Sequence, residues 1–448
     1  MKIISMLVWL LGMAMPSWAE LPDSEIKRLQ QDLTPLGAER AGNGSTIPAW
    51  TGGLPQDQGP WETGFHPDPY AGEKPLLRID AGNLGAYQDQ LTEGQRQLLQ
   101  RYPDMYLNVY PSHRSASYPD YVYDAIQSNA ATAQLLPYGS GVTGAVMSSP
   151  FPVPANGLEV LWNHTLRFRG QTVSYEAVSS LITTNGQRMD TLREYNYYFK
   201  YSEADIKSSE LENKIFLLTR KTLAPAHQAG SLTLVHETLD QMRARRKSWV
   251  YTPGARRLRR TPDLAYDTPD PNSQSLRTID QVDMFNGAPD YYDWDLQGKQ
   301  EIYIPYNAYR VHQGDLALDD ILAKHHLNPA LLRYELHRVW VIEANLRVGF
   351  SHRYSKRRYY LDEDSWSIVY AEEYDQHGAL IQMTEGHLIN YYDMPLMMTT
   401  LEVTYDFPSG RYYTEGLDNE RPRSFRFFDT GLNESDFSTN AIRRQARR

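Results

Sequence analysis

The 448-residue chain carries 45 Lys and Arg against 55 Asp and Glu, a formal net charge of −10, and no cysteine. The missing thiols exclude disulfides, thiolate metal sites, cysteine nucleophiles and a lipidated cysteine, and the acidic balance argues against a protein that coats nucleic acid. Tyrosine is abundant at 32 copies, a composition that suits strands and apolar pockets with polar tips alike.

Residues 1–19 have the pattern of a secretory signal peptide. Lys2 precedes an apolar run from Ile3 to Met15, and Ser17-Trp18-Ala19 supplies a small-x-small cleavage site. The competing reading is a membrane anchor, but the run is shorter than the roughly 20 residues a spanning helix needs. Export without disulfides predicts the periplasm of a Gram-negative bacterium. A short amphipathic helix is expected over 21–33. Residues 34–53 form an ordered irregular segment with Ile47, Pro48 and Trp50 to dock it, and 55–77 continue as loop. Helices follow over 92–102 and 121–136, stopped by Pro103 and Pro137. Asn156 caps a further helix over 157–167.

From Gln171 the apolar period changes to two. Strands are expected over 172–183 and 188–201, joined at Asn185-Gly186. A short helix over 203–212 precedes strands over 214–223, 231–239, 247–252 and 256–260, the last two joined at Pro253-Gly254. Residues 261–289 read as a loop-rich insertion. A strand over 299–304 and helices over 316–325 and 329–335 lead into the most strongly patterned stretch, 338–383. There Trp340, Ile342, Ala344, Leu346 and Val348 alternate with Glu343, Asn345 and Arg347, the mark of a half-buried antiparallel strand. A strand over 357–361, the turn Asp362-Glu363-Asp364-Ser365, a strand bearing Trp366, Ile368 and Tyr370, and the turn at Asp375–Gly378 continue the meander into 379–383. Strands over 396–406 and 411–414 close it. The pattern predicts a mostly β (α+β) fold. Residues 20–157 would be a loop- and helix-rich segment packed on a large curved antiparallel sheet, 158–448, with helical insertions at about 261–298 and 316–337.

Catalytic motifs are sparse. The sequence has no G-x-S-x-G elbow, H-E-x-x-H pair, phosphate loop or dinucleotide fingerprint. His325, His326 and His337 flank one expected helix, and adjacent helical side chains diverge too far to share a metal. Asp290, Asp293, Asp295 and Glu301 fall at loop positions 1, 4, 6 and 12, not at the EF-hand positions 1, 3, 5 and 12, so a turn with docked aromatics competes with a cation loop. Asp362-Glu363-Asp364 reads first as a hairpin tip. The basic cluster Arg243, Arg245, Arg246, Lys247, Arg256, Arg257, Arg259 and Arg260 is either the solvated flank of one hairpin or an edge that meets acidic lipid head groups or an acidic partner. An enzyme acting on lipid or polysaccharide would have to use carboxylates such as Asp293, Asp295 or Glu343, and no motif singles them out.

The apolar faces remain. A curved sheet covers its concave side with a packed core, or leaves a cavity under a lid. The inward candidates for ligand binding are Trp249, Tyr251, Trp340, Ile342, Tyr359, Trp366, Ile368 and Tyr370, with an ordinary core as the competing use of each. A twelve-carbon chain in such a cavity would gain roughly 10 kcal/mol, at about 0.8 kcal/mol per methylene, before ordering costs. No cofactor or metal is expected.

Four segments carry a family likeness: LTPLGAERAGNGSTIPAWTGG, RKSWVYTPGARRLRR, GAPDYYDWDLQGKQEIYIPYNAYR and HRVWVIEANLRVGFSHRYSKRRYYLDEDSWSIVYAEEYD. In this order they resemble the secreted domain-of-unknown-function family 1329, over nearly the whole mature chain. The one departure, AGNGST in place of a slightly longer turn, lies in a loop. The resemblance implies a half-open antiparallel β-barrel like that of the lipoprotein carriers LolA and LolB, with a helical lid. It also implies binding of acyl chains or another hydrophobic molecule, and partnership with an RND-type inner-membrane transporter and an outer-membrane protein. It supplies no catalytic residues. Glu20 follows the expected cleavage site where a lipoprotein would need cysteine. The expected function is therefore a non-enzymatic periplasmic carrier of a lipid or hydrophobic small molecule. The alternatives are a structural or interaction module of an envelope complex, or a lipid- or glycan-acting hydrolase.

Overall fold

A computed structural model describes residues 21–57, 64–262, 266–427 and 430–445. The expected signal peptide, 1–19, lies outside the described residues, and among those described no helix is long and apolar enough to cross a membrane.

The segment before the main sheet holds short strands β1 (Leu77–Ile79), β2 (Leu107–Val109), β3 (Gln134–Leu135) and β4 (Val142–Thr143) and helices α1 (Asp23–Arg28), α2 (Glu93–Arg101), α3 (Asp120–Thr132) and α4 (Gly157–Thr165). Thr92 and Gln95 cap α2 reciprocally, and Asn156 caps α4 by accepting from the Glu159 N–H. Helix α3 stops four residues short of expectation, because Gln134 and Leu135 turn extended and pair with Thr143 and Val142.

Two antiparallel meanders follow. The first runs through β5 (Thr172–Ile182), β6 (Arg188–Tyr198), β7 (Lys214–Ala224), β8 (Leu232–Thr238), β9 (Lys247–Thr252) and β10 (Arg257–Arg260). The second runs through β11 (Tyr292–Pro305), β12 (Tyr334–Leu346), β13 (Lys356–Asp362), β14 (Ile368–Tyr374), β15 (Leu380–Asn390), β16 (Met397–Asp406) and β17 (Arg411–Leu417). The end of the second pairs with the start of the first, Tyr412 opposite Ile182 and Thr414 opposite Ser180. The result is one open, curved, sixteen-stranded sheet, mixed only where β2 meets β12 in parallel at Val109 and Tyr334. A last short strand, β18 (Arg426–Phe427), pairs with β5, and α6 (Thr439–Gln445) follows it.

Three expected helices shrink. Residues 203–212 hold one 3₁₀ turn, 316–325 hold the single turn α5 (Leu318–Ile321), and 329–335 hold a 3₁₀ turn at Pro329–Leu331. Sheet pairing overrides the local pattern. β12 starts at Tyr334, six residues before the expected alternation at Trp340, because β11 extends to Pro305 and pairs with Tyr334. β11 also absorbs the calcium-like stretch: Asp293 and Asp295 are exposed strand residues opposite Asn345 and Glu343.

The second meander carries a closely packed apolar core, with one polar pocket of about 240 Å³ beside it between Glu93 and Arg96 of α2 and Glu343 and Arg358 of the sheet. Trp366, Tyr359, Tyr370, Ile342 and Ile368 are buried. The preceding segment covers Trp366 and Tyr370, and Tyr359 packs on Phe285 and Trp294. Trp366 Nε1 donates to the Leu36 carbonyl at 2.9 Å, and Gln95 Nε2 donates to the Tyr370 hydroxyl at 2.7 Å. Gly94 lies so close that an added Cβ would meet Met383 Sδ at 2.4 Å. Trp366→Ala should therefore lower the unfolding free energy by about 3–5 kcal/mol, with loss of an indole hydrogen bond included. Denaturant titration followed by circular dichroism measures it; a loss below about 1 kcal/mol would contradict the packed assignment.

Candidate functional site

The first meander is not packed solid. Between its concave face and the segment 266–287 lies a cavity of about 310 Å³, at the lower end of the roughly 300–1,000 Å³ of small-molecule pockets. The period of two places its floor. Val173, Tyr197, Leu218, Val235 and Ser248 face one another across β5–β9, and beside them run Tyr175, Tyr195, Arg220 and Thr233. Phe199, Phe216 and Glu237 continue the wall, and Met398, Thr399, Glu402, Glu415 and Gly416 close one side from β16 and β17.

The tyrosines stack on each other across the strands. Tyr175 and Tyr195 lie 4.8 Å apart at 7°, and Phe425 covers Tyr175 at 3.9 Å. Tyr197 stacks on Phe199 at 5.5 Å. Tyr175 is thus engaged by both Tyr195 and Phe425. Burial pushes the Tyr195 hydroxyl up to about 12, so it is neutral at physiological pH.

Buried charges hold the roof down. Arg277 enters the sheet and donates to both Glu402 and Glu415, which sit directly opposite each other on β16 and β17. Asp283 accepts from Arg167 at 2.6 Å and Arg169 at 2.7 Å, and these guanidiniums hold its carboxyl well below the usual range. Asp280 accepts from Arg357 at 2.6 Å, which also donates to Glu373 at 2.8 Å. At the far end Arg246 meets Glu237 at 2.6 Å. Asp270 lies 4.0 Å from Arg277. Every carboxylate among the described lining residues thus has an arginine beside it, a wall suited to holding a molecule rather than to activating a nucleophile.

The eight residues expected to face a cavity lie elsewhere, and none is among the described residues lining this one. Ile342, Tyr359, Trp366, Ile368 and Tyr370 belong to the core of the second meander, and half-buried Trp340 stacks on Trp366 at 6.0 Å beneath Lys299. Trp249 and Tyr251 sit on the other face of β9, packed with Tyr198, Leu217, Leu234, Phe437 and Ile442. Of the basic cluster, Arg245 and Arg246 border the cavity, whereas Arg257, Arg259 and Arg260 are exposed on β10. The carboxylates of the enzyme alternative do not gather there either: Asp293 pairs with Arg347 at 2.9 Å, Asp295 accepts from Asn345 at 3.1 Å, and Glu343 pairs with Arg358. The tip Asp362-Glu363-Asp364 is buried rather than solvated. His337, Asp362 and Asp364 bring ligand atoms within 4.8 Å of one another, but Asp364 is already clamped by Arg114 at 2.6 and 2.8 Å. Sequence reasoning missed Tyr175, Tyr195, Tyr197 and Arg220. Their alternation was legible, but an aromatic strand looks the same under a packed helix and under a ligand.

The family model described as "Protein of unknown function (DUF1329)" matches residues 78–443. The uncharacterized protein PA3922 of Pseudomonas aeruginosa is 41% identical over 430 residues, 95% of this chain and 94% of that one. Among solved structures, a putative outer membrane lipoprotein-sorting protein domain from Vibrio parahaemolyticus is 17% identical with a TM-score of 0.42, covering 64% of this chain and 98% of its own. A DUF1329 family protein from Desulfovibrio piger is 15% identical with a TM-score of 0.39, at 61% and 92% coverage. A LolA superfamily protein from Nitrosomonas europaea is 15% identical with a TM-score of 0.37, at 64% and 100% coverage.

Glu402 yields a pH prediction. Burial, with Glu415 opposite, raises its carboxyl to about 8 despite Arg277. The folded state then keeps a proton that an unfolded glutamate releases near 4.5. This contribution to stability is fully present below pH 4.5 and is lost as pH rises toward 8. The melting temperature should fall over that window, and Glu402→Gln should flatten the fall. An unchanged slope in the variant would remove Glu402 as its source.

Proposed function

The chain belongs to the DUF1329 family of proteins of unknown function, and on that premise we propose that it is a non-enzymatic binding protein for a small hydrophobic molecule. One observation carries this reading: a cavity of about 310 Å³ with aromatic and aliphatic side chains on its floor, under a roof held by buried ion pairs. Such a site offers burial of apolar ligand surface at about 25 cal/mol per Å². Its volume suits one small molecule, not a several-chain lipid anchor.

The finer reading is a periplasmic carrier that passes its cargo between an RND-type inner-membrane transporter and the outer membrane. The leader-like residues 1–19 and the family resemblance support it. The hairpin between β12 and β13 adds a surface for it: Val348 is fully exposed at the tip, with Phe350 43% exposed beside Arg347, an apolar tip with a cation of the kind that meets membranes.

Native mass spectrometry with organic extraction, on protein purified from its own envelope without detergent, tests the reading. A stoichiometric hydrophobic adduct is expected. Leu218→Trp, which fills the middle of the floor, should abolish the adduct while the protein still melts cooperatively. A clean mass that stays unchanged after incubation with envelope lipids would defeat the proposal.

A further inference from the structure

Resting on the reading that the cavity takes an apolar molecule, we propose that the ligand is anionic: an aliphatic chain ending in a carboxylate, with that end received by Arg220. The charges on the cavity wall single this residue out. Arg167 and Arg169 are spent on Asp283, Arg246 is spent on Glu237, and Arg245 is exposed to solvent at the rim. Arg220 points from β7 into the cavity between Tyr195 and Thr233. Among the described residues it makes no hydrogen bond and no ion pair within 4 Å. Its acidic neighbours, Asp270 and Glu415, act on it only through space, and both already sit beside Arg277.

Arg220 is half-buried, and its guanidinium, with five donors and no protein acceptor among the described residues, is free to offer them to a ligand anion. A carboxylate satisfies it in the two-pronged geometry that arginine favours. The hydroxyl of Thr233 stands next to it in the same row to supply a further donor. The body of the ligand is set by the rest of the floor. Tyr175 already stacks on Tyr195 and on Phe425, so its ring is engaged by the protein rather than held open for a flat aromatic ligand. Val173, Leu218 and Val235 form an aliphatic row beside it. That lining fits a flexible saturated chain. At about 30 Å³ for each water-sized unit of liquid, 310 Å³ holds roughly ten heavy atoms, so a twelve-carbon chain fills the cavity and its last few atoms extend beyond it.

Dodecanoate, dodecan-1-ol and dodecylammonium share one chain and differ in the charge of the end group. Calorimetric titration of each, below its micelle concentration, into the purified protein separates chain from charge. The expected result is tightest binding of dodecanoate, dodecan-1-ol weaker by about ten-fold or more, and dodecylammonium weakest. Arg220→Gln should bring dodecanoate down to the level of the alcohol without changing the alcohol itself, and Arg220→Lys should restore part of the difference. Equal binding of acid and alcohol by the wild-type protein would overturn the anionic assignment and leave the hydrophobic-cavity reading standing. That comparison needs no variant to fold. A preference for the acid that survives in Arg220→Gln would overturn the role of Arg220. Binding of none of the three would count against the cavity reading itself.

Discussion

The roof of the cavity stays in place because its charges have nowhere else to go. Glu402 and Glu415 face each other directly across β16 and β17, an arrangement that repels when both are ionised. Arg277, buried in the roof, sits between them and donates to both. Asp283 and Asp280, from the same segment, meet Arg167, Arg169 and Arg357. Lifting the segment would leave several buried charges without partners at once, each at a cost of a few kcal/mol. Ion pairs of this kind contribute little net stability against an apolar alternative. They do fix where the segment sits, so the space beneath it is set by geometry rather than by apolar collapse.

The two meanders use one sheet in two ways. Over β12–β15 the N-terminal segment and α2 bring apolar and hydrogen-bonding groups down to contact, and the space left there is lined by Glu93, Arg96, Glu343 and Arg358 rather than by apolar groups. Over β5–β9 the covering segment is held at its anchor points by Arg277, Asp280 and Asp283, and stands off the floor between them. The difference lies in the covering segment. The second meander carries buried Trp366 and Tyr370, whose polar atoms are met by Leu36 and Gln95. The first carries tyrosines that stack on neighbours within the sheet, Tyr175 on Tyr195 across the strands and Tyr197 on Phe199 along the chain, so they keep their rotamers without a helix pressing on them.

The sequence-level expectation placed its inward-facing residues away from the cavity under 266–287, on a sheet of the anticipated class. Trp340, Trp366 and Tyr370 have the strongest aromatic alternation and read as the face to watch. That strength reflects burial on both sides of the second meander, not a cavity. Trp249 and Tyr251 are a different case. Their phase on β9 was legible, but the phase alone does not say which face is concave. The outer face of β9 is covered by Phe437 and Ile442 from the C-terminal segment, some 190 residues away in sequence, and a local pattern holds no record of that.

The sequence by itself determined the class of the fold, the residues that share a face of each strand and the start of most strands, because a period of two dictates which side chains share a face wherever a strand forms. It also determined the absence of thiol chemistry. Only the tertiary structure decided which face encloses space, which carboxylates are tied to arginines and which arginine is left over. Those properties depend on pairs of groups far apart in the chain, Arg277 with Glu415 or Asp283 with Arg167, whose meeting follows from the sheet order and not from the residues on either side of them.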